Sequence, residues 1–150
     1  MLIKRIFVLF LCGILSTQLI GCSSSKDDII ESIGESSKIS YYSDNGFQDH
    51  TDYAKYNITD VNLKNNKYFQ QINEQLKSDF EKHLNDFENR INSNDEENEI
   101  VKNYDFNKSL VSDNDYIYIY DNPDYQELGY YSVYYFDFES NILYYFHNNT

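Results

Sequence analysis

Tryptophan is absent from this 150-residue chain, methionine and proline occur once each, glycine five times and cysteine twice. Both cysteines, Cys12 and Cys22, lie near the start, so residues 23–150 hold no thiol. A disulfide framework, a thiolate zinc site and a cysteine nucleophile are all excluded there, and the fold must rest on packing alone. The chain has no Gly-x-Ser-x-Gly, no glycine-rich phosphate loop and no His-Glu-x-x-His, which removes the common signatures of serine hydrolases, nucleotide binders and zinc peptidases. Basic residues are scarce as well, with 12 Lys and Arg against 25 Asp and Glu. That field repels phosphate backbones and anionic headgroups, so nucleic-acid binding is discarded and a protein partner is expected to be cationic. Long apolar runs are missing too. The best, Ile6 to Leu15, falls short of the roughly 20 residues that a membrane-spanning helix needs.

That short run has Lys4 and Arg5 before it and Ser16-Thr17-Gln18 and Gly21 after it, which is the anatomy of a secretory signal; an uncleaved anchor is the alternative. Leu19-Ile20-Gly21-Cys22 resembles the bacterial lipobox, with an aliphatic residue, a small or aliphatic one, glycine and then cysteine. The resemblance implies that residues 1–21 are a signal peptide and that the Cys22 thiol, a better nucleophile than a hydroxyl, receives a diacylglyceryl group. Two or three acyl chains hold a protein at a bilayer where a single one is marginal. The expected location is therefore the cell membrane or outer membrane, lipid-anchored and facing outside the cytoplasm. Loss of Lys4 and Arg5 leaves ten basic residues against 25 acidic ones, a net charge of −15. Residues 22–37, rich in Ser, Asp, Glu and Lys, read as a solvated tether in which Ile29, Ile30 and Ile33 make at most one helical turn. Serines followed by Lys26-Asp27-Asp28 also resemble the signal by which some bacteria place lipoproteins on the outer leaflet of the outer membrane.

Residues 38–150 are long enough for one domain. Ile39-Ser40-Tyr41-Tyr42 before Asn45-Gly46 suggests a strand entering a tight turn, and residues 53–63 a further extended segment. Phe69, Ile72, Leu76, Phe80, Leu84, Phe87 and Ile91 recur at steps of three and four, which predicts an amphipathic helix from about Asn66 to Ile91. An acidic loop follows at 92–99, then short strands near Ile100-Val101, Tyr104 to Phe106 and Leu110-Val111. Tyr116 to Tyr120, Tyr130 to Phe138 and Ile142 to His147 alternate as strands of an antiparallel meander. A meander needs a cover on its apolar face, and the helix stripe supplies one. The fold class is α+β, one long helix packed on an antiparallel sheet of three to five strands.

The long helix followed by Tyr-Ile-Tyr-Ile-Tyr-Asp-Asn and then Tyr-Ser-Val-Tyr-Tyr-Phe-Asp resembles small bacterial lipoproteins of cystatin-like fold. The segment Val133 to Leu143 is also similar to an extracellular domain shared by certain cell-wall deacetylases and lysozyme-sensing anti-sigma factors, although that family's glycine-rich segment before the last hairpin is missing here. Either resemblance covers at most residues 55–147.

Tyrosine is the excess in the composition: 11 of the 16 lie between Tyr104 and Tyr145. Strand alternation puts Tyr116, Tyr118 and Tyr120 on the sheet face away from the helix, an aromatic strip suited to sugar rings or a protein surface. The acidic residues at the two ends of that strand, Asp113 to Asp115 and Asp121 to Glu127, lack the glycine and distal glutamate of a calcium loop and read as solvated turns. His50, His83 and His147 show no metal-ligand spacing in the linear sequence and are expected at the surface. Glu127, Asp137 and Glu139 are the nearest thing to an acid/base set. No cofactor, metal or catalytic residue is assigned. The function expected is a non-catalytic binding module, membrane-bound through lipid on Cys22, for a protein or polysaccharide ligand; the alternative is an inhibitor or immunity-type partner of a cationic cell-wall hydrolase such as lysozyme.

Overall fold

The structure is a computed structural model that describes residues 28–44, 49–93, 98–125 and 128–149. In chain order the elements are helix α1 (Asp28–Glu31), strands β1 (Glu35–Asp44), β2 (His50–Thr59) and β3 (Gln70–Gln71), helices α2 (Glu74–Ser93) and α3 (Glu99–Asn103), a 3-10 turn (Lys108–Leu110), and strands β4 (Tyr116–Asp121), β5 (Tyr130–Asp137) and β6 (Ile142–Asn149). All six strands lie in one antiparallel sheet, in the order β1-β2-β6-β5-β4-β3. The fold is α+β with one more strand than the upper end of the expected range. The extra one is β3, too short to alternate and so invisible as a pattern.

Each face of the sheet buries its own core. On one side Phe80, Leu84, Phe87 and Ile91 of α2 pack on Tyr53, Ile117, Tyr131, Val133, Tyr135 and Phe146, with Phe106 closing the end. Phe80 stacks flat on Tyr135, centroids 5.2 Å apart, and Phe106 meets four rings edge-on, geometries that suit the aromatic quadrupole. On the other side Ile30, Ile33, Ile58, Phe69, Tyr134, Phe136 and Leu143 make a second cluster, rimmed by Val61, Leu63, Tyr68, Tyr116, Tyr118 and Tyr145.

The second cover corrects two expectations. Residues 28–37, expected as tether, belong to the fold: Ile30 is 4% exposed and Ile33 fully buried, the Asn66 amide donates to the Ser32 carbonyl, and Ser36 and Ser37 already pair with β2. The long helix begins at Glu74, eight residues later than its apolar stripe suggested. Asn66 is the cause at one end, since its side chain accepts from the amides of Tyr68 and Phe69 and turns the chain where the stripe asked for helix. Asn73 is the cause at the other, accepting from the Leu76 amide as an N-cap does. Phe69 and Ile72 consequently serve opposite faces of the sheet.

None of the strands expected around residues 100–111 forms: the first and last fall on helical turns, and Tyr104 to Phe106 is irregular chain between them. Asn98 accepts from the Ile100 amide and starts α3, while Asn107 accepts from Ser109 and starts the 3-10 turn. The signal segment, the tether before Asp28 and the Asn45-Gly46 turn lie outside the described residues. No helix among the described residues is long and apolar enough to cross a membrane.

Candidate functional site

Register decides what meets on the sheet face away from α2. Across β4, β5, β6, β2 and β1, one row is Tyr118, Tyr134, Tyr145, Ala54 and Tyr41, and the next is Tyr120, Ser132, His147, Asp52 and Ser43. Beyond them Tyr130 and His50 flank Asn149. The row on the other side, from Tyr116 through Phe136 and Leu143 to Tyr56, lies under α1 and residues 61–69. One end of the face is therefore roofed and the other is open.

The three strand tyrosines do not share one environment. Tyr116 is half-buried beside Phe138, centroids 6.0 Å apart. Tyr118 is half-buried between Tyr68 at 5.2 Å and Tyr134 at 5.9 Å. Tyr120 alone of the three is exposed, at 40%. It joins a set that linear alternation could not assemble, because its partners come from the next turn and strand. Tyr120 meets Tyr130 edge-on at 6.3 Å, Tyr130 meets the exposed Tyr125 at 5.3 Å, and Tyr130 lies edge-on to His147 at 5.2 Å. Tyr145 stacks parallel to His147. Tyr125 and Tyr130 also line a cleft of about 250 Å³ closed by Pro123, Leu128, His83 and Asp121. A hollow of that size falls below the usual range of small-molecule pockets and suits a single protruding ring or side chain.

His83 and His147 are not at the surface as expected, whereas His50 is half-exposed. His83 is 5% exposed and sits on α2 under Tyr131, their rings edge-to-face at 5.0 Å. Its Nδ1 faces the Asp79 carbonyl at 2.7 Å and its Nε2 an Asp121 carboxylate oxygen at 2.8 Å. His147 is likewise 5% exposed, with Nδ1 2.9 Å from the Tyr131 carbonyl and 3.0 Å from Ser132 Oγ. Burial holds the His147 imidazole below its usual range, with the neighbouring His50 adding to the effect and Asp52 opposing it. Its ring centre is 5.0 Å from that of half-buried His50.

The acidic turns build backbone. Asp115, 2% exposed, accepts from the Ser112 and Phe138 amides and from the Tyr135 hydroxyl. Asn122 accepts from the Asp124 amide. Of the acid/base set, Asp137 accepts from the Glu139 and Ser140 amides and closes the β5–β6 turn; the Glu127 position lies outside the described residues. Comparison with protein families, with curated proteins and with solved structures finds no match for this chain.

Proposed function

We propose that this chain is a non-catalytic binding module, anchored outside the cytoplasm by lipid on Cys22, which recognises a protein or polysaccharide through the open end of its tyrosine-bearing sheet. The observation that supports the reading is the contiguous patch of Tyr120, Tyr125 and Tyr130 beside a shallow cleft. Flat rings with polar tips on rigid strands offer contact area at low entropic cost, which both sugar rings and protein surfaces exploit. The fold is read as of the cystatin-like kind, a helix laid along an antiparallel sheet.

Retention of the full chain on insoluble cell-wall polysaccharide and on envelope protein extracts tests this directly. Tyr120→Ser combined with Tyr125→Ser should abolish retention and leave the melting temperature nearly unchanged, since both rings are exposed. Retention unaffected by the double substitution would sink the proposal. The anchor is tested separately: Cys22→Ser should move the chain from detergent to the aqueous phase and prevent removal of residues 1–21, as read by mass spectrometry.

The second reading, an inhibitor of a cationic hydrolase, is supported by the net charge of −15 left once the two basic residues of the signal are gone. It requires salt-sensitive capture of a basic protein at the same face.

A further inference from the structure

Seven polar or charged residues are buried among the described residues, and five of them, Thr51, Asp52, Ser132, His147 and Asn148, crowd the open end of the sheet. Buried polar side chains are costly unless paired. Asp52 is not fully paired: it is 6% exposed, and its Oδ1 is buried with no hydrogen-bond partner. His147 lies directly across from Asp52 in the β2–β6 ladder, and His50 is two residues before Asp52 on the same face. One ligand atom from each of His50, Asp52 and His147 falls within 4.8 Å of the others.

We propose that His50, Asp52 and His147 form a binding site for a divalent transition metal ion of the zinc class. The donor set is two imidazoles and one carboxylate, the set that such ions take and that calcium or magnesium, which prefer oxygen alone, do not. The His147 tautomer is fixed for the task. A carbonyl oxygen only accepts, so the Nδ1 facing Tyr131 carries the proton and Nε2 keeps its lone pair. A ring nitrogen tied to a backbone carbonyl is the outer support that metal-bound histidines commonly have. Asp52 Oδ1 is the atom with nothing to bind. His50 Nε2 lies 3.9 Å from Asp52 Oδ2, and its Nδ1 is 3.4 Å from the Asn149 amide. With Asn149 turned to offer its oxygen, Nδ1 donates there and Nε2 becomes a ligand.

Bond lengths near 2.0–2.2 Å in tetrahedral geometry place ligand atoms about 3.4 Å apart, so closure from a spread within 4.8 Å needs a contraction of up to about 1.4 Å. His50 supplies it most easily, being the only half-exposed member of the three. Three protein ligands leave a fourth position, where water or a donor from a ligand completes the shell. The site stands independently of the binding-face reading, because its ligands are not the exposed tyrosines.

The test is titration of the metal-free full chain with zinc against a chromogenic chelator, together with cobalt(II) as a spectroscopic substitute and thermal melts. One zinc per chain, a raised melting temperature and the visible absorption of a tetrahedral cobalt site are expected. His50→Ala and Asp52→Asn should each weaken zinc by more than about tenfold, the least that losing even an outer partner of a ligand costs. Asp52→Asn keeps the side-chain shape, so its metal-free fold should survive, as checked by circular dichroism. Wild-type protein that takes up no stoichiometric zinc, or an Asp52→Asn chain that keeps zinc and the cobalt spectrum, overturns the proposal.

Discussion

Tyrosine and carboxylate excess, two peculiarities of this composition, answer each other one residue at a time. In the core under α2, Tyr53 donates to Asp105, Tyr104 to Glu88, Tyr131 to Asp86 and Tyr135 to Asp115, at 2.6–3.0 Å. Each ring is packed among apolar neighbours while its hydroxyl ends on an anion near the rim, so a buried polar atom is satisfied by a charged acceptor. The Tyr135 pair is the most deeply placed, with both residues under 3% exposed. Tyr135→Phe deprives Asp115 of one of three donors and should cost about 1–3 kcal/mol in denaturant unfolding. Burial, reinforced by the facing carboxylate, pushes the Tyr104 and Tyr135 hydroxyls above their ordinary range. A group whose folded pKa is raised contributes stability that is present below the unfolded value, near 10 for tyrosine, and lost as the pH climbs beyond it. Stability should therefore hold up to about pH 10 and then fall. Tyrosinate absorbance from these rings should appear with unfolding and not before it.

At the scale of elements, what sequence periodicity reveals and what it hides have physical reasons. The meander was legible because Tyr116 to Tyr120 and Tyr130 to Phe138 alternate side chains over a period of two, and β4 and β5 match those runs within a residue. The helix was legible from Phe80 to Ile91 and illegible before Glu74, where an asparagine side chain outbids a helical hydrogen bond that no apolar pattern records. The site was less legible still. Asp52 and His147 are 95 positions apart in the chain and become neighbours only through the β2–β6 register, which depends on contacts far from either residue. The second roof went unseen for a related reason, since two isoleucines three apart in a polar run carry no period of their own. It is open to direct trial. Ile33 is fully buried against the sheet, so Ile33→Ala should cost about 2–5 kcal/mol of unfolding free energy, the range for large-to-small changes in a core. A change within about 0.5 kcal/mol would mean that residues 28–33 are tether after all.

For the molecule as a whole, charge and shape act over different distances. Short contacts at the tyrosine patch are governed by fit, whereas a net charge of −15 on residues 22–150 reaches as far as the Debye length allows, about 30 Å at 0.01 M salt and 8 Å at 0.15 M. A neutral polysaccharide feels only the first term and a basic hydrolase feels both. The two functional proposals therefore part company in a single salt series. Association with a cationic lysozyme-type protein should slow by at least about tenfold between those salt concentrations, with the loss in the association rate and little change in dissociation, because long-range steering acts before contact. Retention on neutral polysaccharide should be nearly indifferent to the same change. Tyr120→Ser should raise the dissociation rate in either case, since it removes contact area and no charge. Measured by surface-immobilised chain and flowing partner, a salt-independent association rate for the basic protein would exclude the inhibitor reading and leave the sheet-face recognition of a neutral ligand in place.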